Sequence, residues 1–515
     1  VRRSSFFSLA LPLIASCGSS APSVPPAPPP PATAPVAARP SVSGIWLGTL
    51  HAGGKGLRVQ LHLDVDAPTP TASLDSLDQG AMGLAGANVV VAGNALSLDV
   101  PAVGGTLKAT LSADGNVLEG TWTQAGTALG LSMQRRAKAI GPAELAFDPA
   151  LPPVKLAGLR EVLDRDLAAT LATGDLAPAN GAGVTIGVLV HGERLVFTYG
   201  AAKVDSVYEI GSVTKTFTGL LLAQLVTQKK ARLDEPVRAL LPPGTVSAPA
   251  SGAEISLLDL SAQRSGLPRM PDNFAPADPD NPYADYDAAR LYAFLGKHGV
   301  GRPDHPEPLY SNLGVGLLGQ ALANRAHTAY PALVQQEILG PLGMRETSVA
   351  LTPSMRERFL PGHDAQHKPA HAWDIGALGG AGGLRSTAAD MLVYLEAQLH
   401  PDHLPASARS TAAGRTLSAA ITLSHELRGD LGPGNRIALN WLYAEKRKAF
   451  WHNGGTGGFA SFVSFLPEED CAIVVLSNTG PSDEGSLADN LGLHIEARLQ
   501  GRPAISLTQP APPPP

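Results

Sequence analysis

The hydrophobic pattern of this chain changes character once, near residue 140, and that change limits what the chain can fold into. From Gly44 to Arg136, Leu57, Val59, Leu61, Leu63 and Val65 interleave with Arg58, Gln60, His62 and Asp64. Leu96, Leu98 and Val100 repeat the alternation, as do Leu107, Ala109 and Leu111, and Leu129, Leu131 and Met133. A period of two sets one face of each strand on a core and the other in water. Turn signals such as Ala113-Asp114-Gly115-Asn116 separate the runs. The pattern predicts a small all-β barrel or sandwich over residues 43–137, filled by Trp46 and Trp122.

Beyond residue 150 the period is mixed. Leu156 to Leu171 reads as helix, and Val184–Val190 with Leu195–Tyr199 reads as a strand pair turning at His191-Gly192-Glu193. A second pair, Phe459–Leu466 and Ala472–Ser477, turns at Pro467-Glu468-Glu469-Asp470 before a last helix over about Ser486–Leu499. Phe217 to Val226 is a helical apolar run between them. Strands at both ends and helices between predict one antiparallel sheet over residues 150–505 with a mostly helical middle.

The N-terminus reads as an address. Arg2 and Arg3 precede the short apolar stretch Phe6–Ala15, and Ile14-Ala15-Ser16-Cys17 resembles a bacterial lipoprotein cleavage site. The expectation is a signal peptide over residues 1–17, lipidation of Cys17, and a periplasmic chain tethered to the outer membrane. Proline crowds residues 18–42 and the tail 506–515, where no core can form. No apolar run is long enough to span a bilayer as a helix. A net charge of −6 argues against a nucleic-acid partner. With two cysteines, Cys17 and Cys471, a disulfide scaffold is excluded, and Cys471 reads as a buried inert thiol.

Three short motifs carry chemistry. Lys215 is the only lysine with a serine three positions before it, in Ser212-Val213-Thr214-Lys215. If Ser212 opens a helix, the amine lies on its face and can relay its proton, while helix N-terminal N–H groups await an oxyanion. Among the nine tyrosines, only Tyr310 has Asn two positions on, in Tyr310-Ser311-Asn312. A phenol and an amide there supply a second proton-transfer group and a substrate hydrogen bond. His452-Asn453-Gly454-Gly455 precedes the strand at Phe459, and its glycines allow close approach of a substrate backbone.

In this order the motifs resemble the serine β-lactamase and penicillin-binding superfamily, nearest its class C β-lactamase, D-alanyl-D-alanine carboxypeptidase and esterase branch. Leu233-Asp234-Glu235-Pro236-Val237, Ser265-Gly266-Leu267-Pro268 and Gly382-Gly383-Leu384-Arg385-Ser386-Thr387 with Asp390 agree with that family. Gln263-Arg264 replaces its usual His-Thr, and His452-Asn453-Gly454 stands where class C enzymes carry Lys-Thr-Gly. The resemblance implies an α+β fold, with a β-lactamase-like antiparallel sheet flanked by helices, a helical subdomain and the small barrel-like domain ahead of it.

The resemblance also implies roles: Ser212 as nucleophile and Lys215 with Tyr310 as proton carriers, the base between them left open. Backbone N–H groups of Ser212 and Gly455 would hold the oxyanion, and Asn312 would orient the substrate amide. His452, with Gly454 beside it, would line the pocket against a substrate carboxylate. The expected reaction is amide hydrolysis of β-lactam or D-alanyl peptide substrates through an acyl-enzyme, with no cofactor or metal, by a monomer acting on a small molecule or peptide. A carboxylic esterase on the same fold and a non-catalytic envelope-binding lipoprotein are the alternatives.

Other polar clusters read as structure. His363, His367 and His371 recur at spacing four, but Pro369 interrupts any shared helix, so a polar loop is favoured over a metal site. Asp272, Asp278, Asp280, Asp285 and Asp287 read as a solvated loop, and Lys446-Arg447-Lys448 as a charged hairpin turn.

Overall fold

Alternating residues become strands in the first region, as their period requires. The computed structural model describes residues 41–507 except 53–54, 78–80, 125–126, 138, 140–146, 173, 433 and 483–484. Cys17 with its signal segment, nearly all of the proline-rich stretch and the tail from residue 508 lie outside the described residues.

Strands β1 (Gly44–Ala52), β2 (Lys55–Asp64), β3 (Thr71–Ser76), β4 (Ala81–Ala85) and β5 (Ala87–Ala92) begin one antiparallel sheet. β6 (Ala95–Val100), β7 (Gly105–Leu111), β8 (Val117–Gln124) and β9 (Thr127–Arg136) complete it. The order is β4-β3-β2-β1-β9-β8-β7-β6-β5, so the first and last strands pair and the sheet curls into a nearly closed barrel. Inward residues such as Leu61, Leu98, Leu118 and Met133 pack with Trp46 and Trp122. Each fully buried side chain of this size contributes about 1.5–3 kcal/mol. Trp46 donates Nε1–H to the Val42 carbonyl at 2.9 Å, and Arg135 lies 4.2 Å from its ring centroid. Val42 is itself buried in this core, although the sequence reading gave it to the linker.

A second sheet has eight strands. β10 (Gly183–Val190) and β11 (Glu193–Gly200) come from the start of the region, joined by a two-residue turn in which His191 and Gly192 both have positive φ. β12 (Gly429–Asp430), β13 (Asn435–Ile437), β14 (Leu442–Ala444), β15 (Ala449–Gly455), β16 (Ala460–Leu466) and β17 (Cys471–Ser477) come from its end. The order β11-β10-β17-β16-β15-β14-β13-β12 joins the two ends through β10 and β17, as the pattern predicted.

β17 is apolar throughout because both faces are covered. Ile473 and Val475 face a core with Leu159 and Leu163 of α1 (Leu156–Asp166), together with Leu491 and Ile495 near the C-terminus. Ala472, Val474 and Leu476 face the larger helical core. The predicted helix from Leu156 to Leu171 is broken at Leu167, and a short second helix follows over Ala168–Ala172. Thr170 Oγ1 donates to the Leu507 carbonyl at 2.9 Å, which holds the start of the segment assigned to the tail.

The centre of that larger core is α2 (Thr214–Thr227), buried at twelve of its fourteen positions, with Lys215, Thr218 and Gln224 among the polar side chains it carries inside. Beside it runs α3 (Asn312–Arg325). The histidine-rich stretch forms a short hairpin, with Gly362–His363 paired to Pro369–Ala370, so the three histidines share no helical face. Residues 445–448 make the predicted charged turn between β14 and β15. Cys471 is buried, and burial with nearby Glu496, Glu469 and Asp470 pushes its thiol up to about 12.

Candidate active site

The three sequence motifs converge on the N-terminal end of α2. Gly211–Val213 forms a single 3₁₀ turn that runs directly into α2, so Ser212 precedes the helix by two residues instead of opening it. Gly211 has φ +49°, a conformation that favours glycine, and a Cβ there would lie 2.8 Å from the Gly455 nitrogen. A Cβ on Gly454 would lie 2.2 Å from the Ile210 carbonyl oxygen and 2.9 Å from the Ser212 nitrogen. The glycines of the third motif therefore let β15 lie directly against the serine turn. His452, Asn453, Gly454 and Gly455 belong to β15 itself, where the sequence reading put them ahead of a strand. Their hairpin partners are Val463, Phe462, Ser461 and Ala460. Ser461 Oγ donates to the Ile210 carbonyl at 2.8 Å and ties the next strand to the same turn.

Lys215 Nζ lies 2.8 Å from Ser212 Oγ and donates to the Ala381 carbonyl at 2.7 Å. The lysine is fully buried, and among the described residues no carboxylate pairs with it. Burial, with the charge of Arg269 added, drives its pKa well below that of an ordinary lysine. A neutral amine would keep an N–H for Ala381 and turn its lone pair to the Ser212 hydroxyl. Its ammonium position is 4.9 Å from the Tyr310 ring centroid.

Burial pushes the Tyr310 phenol up to about 12, against a smaller lowering by the adjacent Ser212, so it stays protonated at neutral pH. Ser311 caps α3: its Oγ accepts from the Gly314 N–H at 2.8 Å and donates to the Pro268 carbonyl at 2.7 Å. The cap holds Tyr310 just ahead of the helix and Asn312 as its first residue. Among the described residues Asn312 Oδ1 is buried without a hydrogen-bond partner, the state of an acceptor that awaits one.

His452 is buried, and its pKa falls to about 3 through burial and then the neighbouring Lys215 charge, so the ring is neutral. Its Nδ1 is 2.6 Å from the Asn453 carbonyl, which can only accept, so Nδ1 holds the proton and Nε2 is a bare acceptor. A carboxylate has no proton to give such a nitrogen.

The supporting residues went unread in the sequence. Ala381 acts through its carbonyl, which no side-chain motif reveals, yet it sits in Gly379–Gly382 beside the Gly-rich stretch already noted. Thr218 Oγ1 donates to the Gly380 carbonyl at 2.7 Å, and the Leu384 N–H donates to Thr214 Oγ1 at 3.1 Å, so this stretch is fastened along α2. Gln263 Oε1 accepts from the Ser311 N–H at 2.7 Å, which shows what the residue in the usual His position does. In the segments that resemble the family, Thr387 caps the helix Ala388–Leu399 and Asp390 accepts from Thr347 Oγ1 at 2.8 Å; these residues build the fold.

A family model described as Beta-lactamase matches residues 169–496, which leaves out the nine-stranded barrel. The D-alanyl-D-alanine-carboxypeptidase/endopeptidase AmpH of Escherichia coli strain K12 is 26% identical over 308 residues, covering 57% of this chain and 79% of that protein. A beta-lactamase of Pseudomonas fluorescens is 25% identical over 353 residues, covering 62% and 93%. Among solved structures, a class C beta lactamase from Rhodobacter sphaeroides has a TM-score of 0.52 at 22% identity, covering 67% of this chain and 97% of that one. A beta-lactamase/D-alanine carboxypeptidase from Pseudomonas syringae has a TM-score of 0.53 at 18% identity, covering 64% and 96%.

Proposed function

The chain belongs to the Beta-lactamase family, and from that premise we propose that it is a serine hydrolase that forms an acyl-enzyme at Ser212 on β-lactam or D-alanyl peptide amides. The observation that carries the reading is the 2.8 Å contact between Lys215 Nζ and Ser212 Oγ, made by a buried lysine with no acidic partner among the described residues. Names of relatives, a carboxypeptidase/endopeptidase and beta-lactamases, support the substrate class.

The opposite pKa directions divide the proton work between two groups. Lys215, held low, is the base: it takes the Ser212 hydroxyl proton as Oγ bonds to the acyl carbon. Tyr310, held protonated near 12, gives its proton to the departing amine as the C–N bond breaks and recovers one from Lys215. Backbone N–H groups of Ser212 and Gly455 take the oxyanion where the serine turn meets β15. Asn312 Oδ1 accepts an N–H of the substrate amide. Water then attacks the ester carbon and gives a proton to Lys215, the bond to Oγ breaks, and Ser212 takes that proton back as the acid leaves.

Incubation with a labelled penicillin and with an activated ester, read by intact mass, tests this. The expected result is one acyl adduct that Ser212→Ala abolishes; no adduct with either reagent would overturn it. Cys17 is proposed as the lipid-bearing residue of a periplasmic, membrane-tethered protein. Loss of radioactive fatty acid in Cys17→Ser is expected, and label retained in that variant would refute the tether.

A further inference from the structure

Among the described residues, Arg269 stands at the active site without a carboxylate partner. It follows Ser265-Gly266-Leu267-Pro268, and its own carbonyl accepts from the Leu313 N–H at 3.1 Å. With Ser311 Oγ on the Pro268 carbonyl, the backbone on which Arg269 sits is fastened to the Tyr310–Asn312 loop at two points. Its guanidinium carbon lies 5.2 Å from the ring centroid of Tyr310, the residue beside the Ser212–Lys215 pair. The side chain is exposed, so it opens to arriving substrate.

Four arginines that flank it in this subdomain have carboxylates. Arg264 and Arg302 share Asp259, Arg290 has Asp285, and Arg385 has Glu209. Among the described residues Arg269 has neither an ion pair nor a side-chain hydrogen bond, and its guanidinium lies over the Tyr310 ring. The fold leaves its five N–H donors open, in a fork that matches a carboxylate.

The opposite wall sharpens the point. His452 occupies the position where a lysine would bring positive charge, but its ring is neutral and its Nδ1–H is committed to the Asn453 carbonyl. Lys215 is buried and engaged with Ser212 and Ala381. Of the cationic groups beside Tyr310, Arg269 is the one free to meet an anion from outside.

We propose that Arg269 selects substrates bearing a carboxylate near the scissile acyl bond, taking over from the strand wall the anion recognition that neutral His452 cannot supply. This rests on the acyl-enzyme reading of Ser212. It names a specificity residue outside the three motifs and predicts that charge discrimination is set beside Tyr310.

The experiment compares a depsipeptide ester that ends in a free carboxylate with its carboxamide twin, on wild type, Arg269→Gln, Arg269→Lys and Arg269→Glu. The wild-type ratio of kcat/KM, carboxylate over carboxamide, is expected to fall about 10- to 100-fold in Arg269→Gln, mostly through KM. Arg269→Lys should restore part of the ratio, Arg269→Glu should lower it further, and added salt should weaken the wild-type preference. A ratio unchanged across the variants would overturn the proposal, as would one that Arg269→Lys fails to restore. In each variant, labelling of Ser212 by an uncharged activated ester is measured in parallel. Labelled Ser212 with an unchanged ratio sinks the Arg269 assignment alone, whereas no labelling in wild type sinks the acyl-enzyme reading beneath it.

Discussion

The barrel and the hydrolase region each bury a cluster of polar side chains, and the two clusters are finished differently. In the barrel, Asp75 accepts from Gln60 Nε2 at 3.1 Å, from His62 Nε2 at 2.6 Å and from the Gly83 N–H at 2.7 Å. Burial alone would raise that carboxyl, but the bonds from Gly83, His62 and Gln60 outweigh it and hold the group low. In the hydrolase region, among the described residues, Lys215 is buried without an acid, Asn312 Oδ1 has no partner and Arg269 has no carboxylate. A satisfied cluster holds a fold together; a cluster with bonds left over is built for something that arrives later.

Lys215→Ala should break the contrast most sharply. Removing the base is expected to slow acylation of Ser212 by about a thousandfold or more while the chain stays folded. Stopped-flow acylation rates with an activated ester, set beside circular dichroism, would check it. Gly454→Ala comes next. Its Cβ would press on the Ile210 oxygen and the Ser212 nitrogen, so acylation should fall by at least about tenfold without any loss of a reacting group.

A pH profile sharpens the comparison further. The reactive form has Lys215 neutral, so the acylation rate should be lost as pH falls through its depressed pKa. That limb should lie well below the ordinary lysine range and move upward in Arg269→Gln, because one neighbouring positive charge is gone. A limb near the ordinary lysine value would count against Lys215 as base. The smallest effect on chemistry belongs to the barrel. Asp75→Ala should leave acylation at Ser212 unchanged yet cost about 1–3 kcal/mol in barrel stability by orphaning its donors, measured by denaturant unfolding.

Much of this architecture was legible in the sequence. Period-two runs such as Leu57 to Val65 could only be strands, and the apolar ends of the second region, Val184–Val190 and Ala472–Ser477, met in one sheet. Ser212, Lys215, Tyr310 and His452 were legible because each motif carries a reactive side chain, and the fold brings all four together. What stayed hidden depends on distance in three dimensions. Residues 429–444 add three short strands whose lengths are too small for periodicity to show. The Ala381 carbonyl is a backbone group that any residue could supply. The protonation of His452 depends on its bond to Asn453 and on its distance from Lys215, neither of which a motif encodes.

The most direct test of the central claim is peptide mapping after intact-mass detection of the acylated protein. The account predicts a single acyl group on the peptide containing Ser212, absent in Ser212→Ala and formed far more slowly in Lys215→Ala. An adduct on any other residue, or one that forms at the wild-type rate in Lys215→Ala, would contradict it.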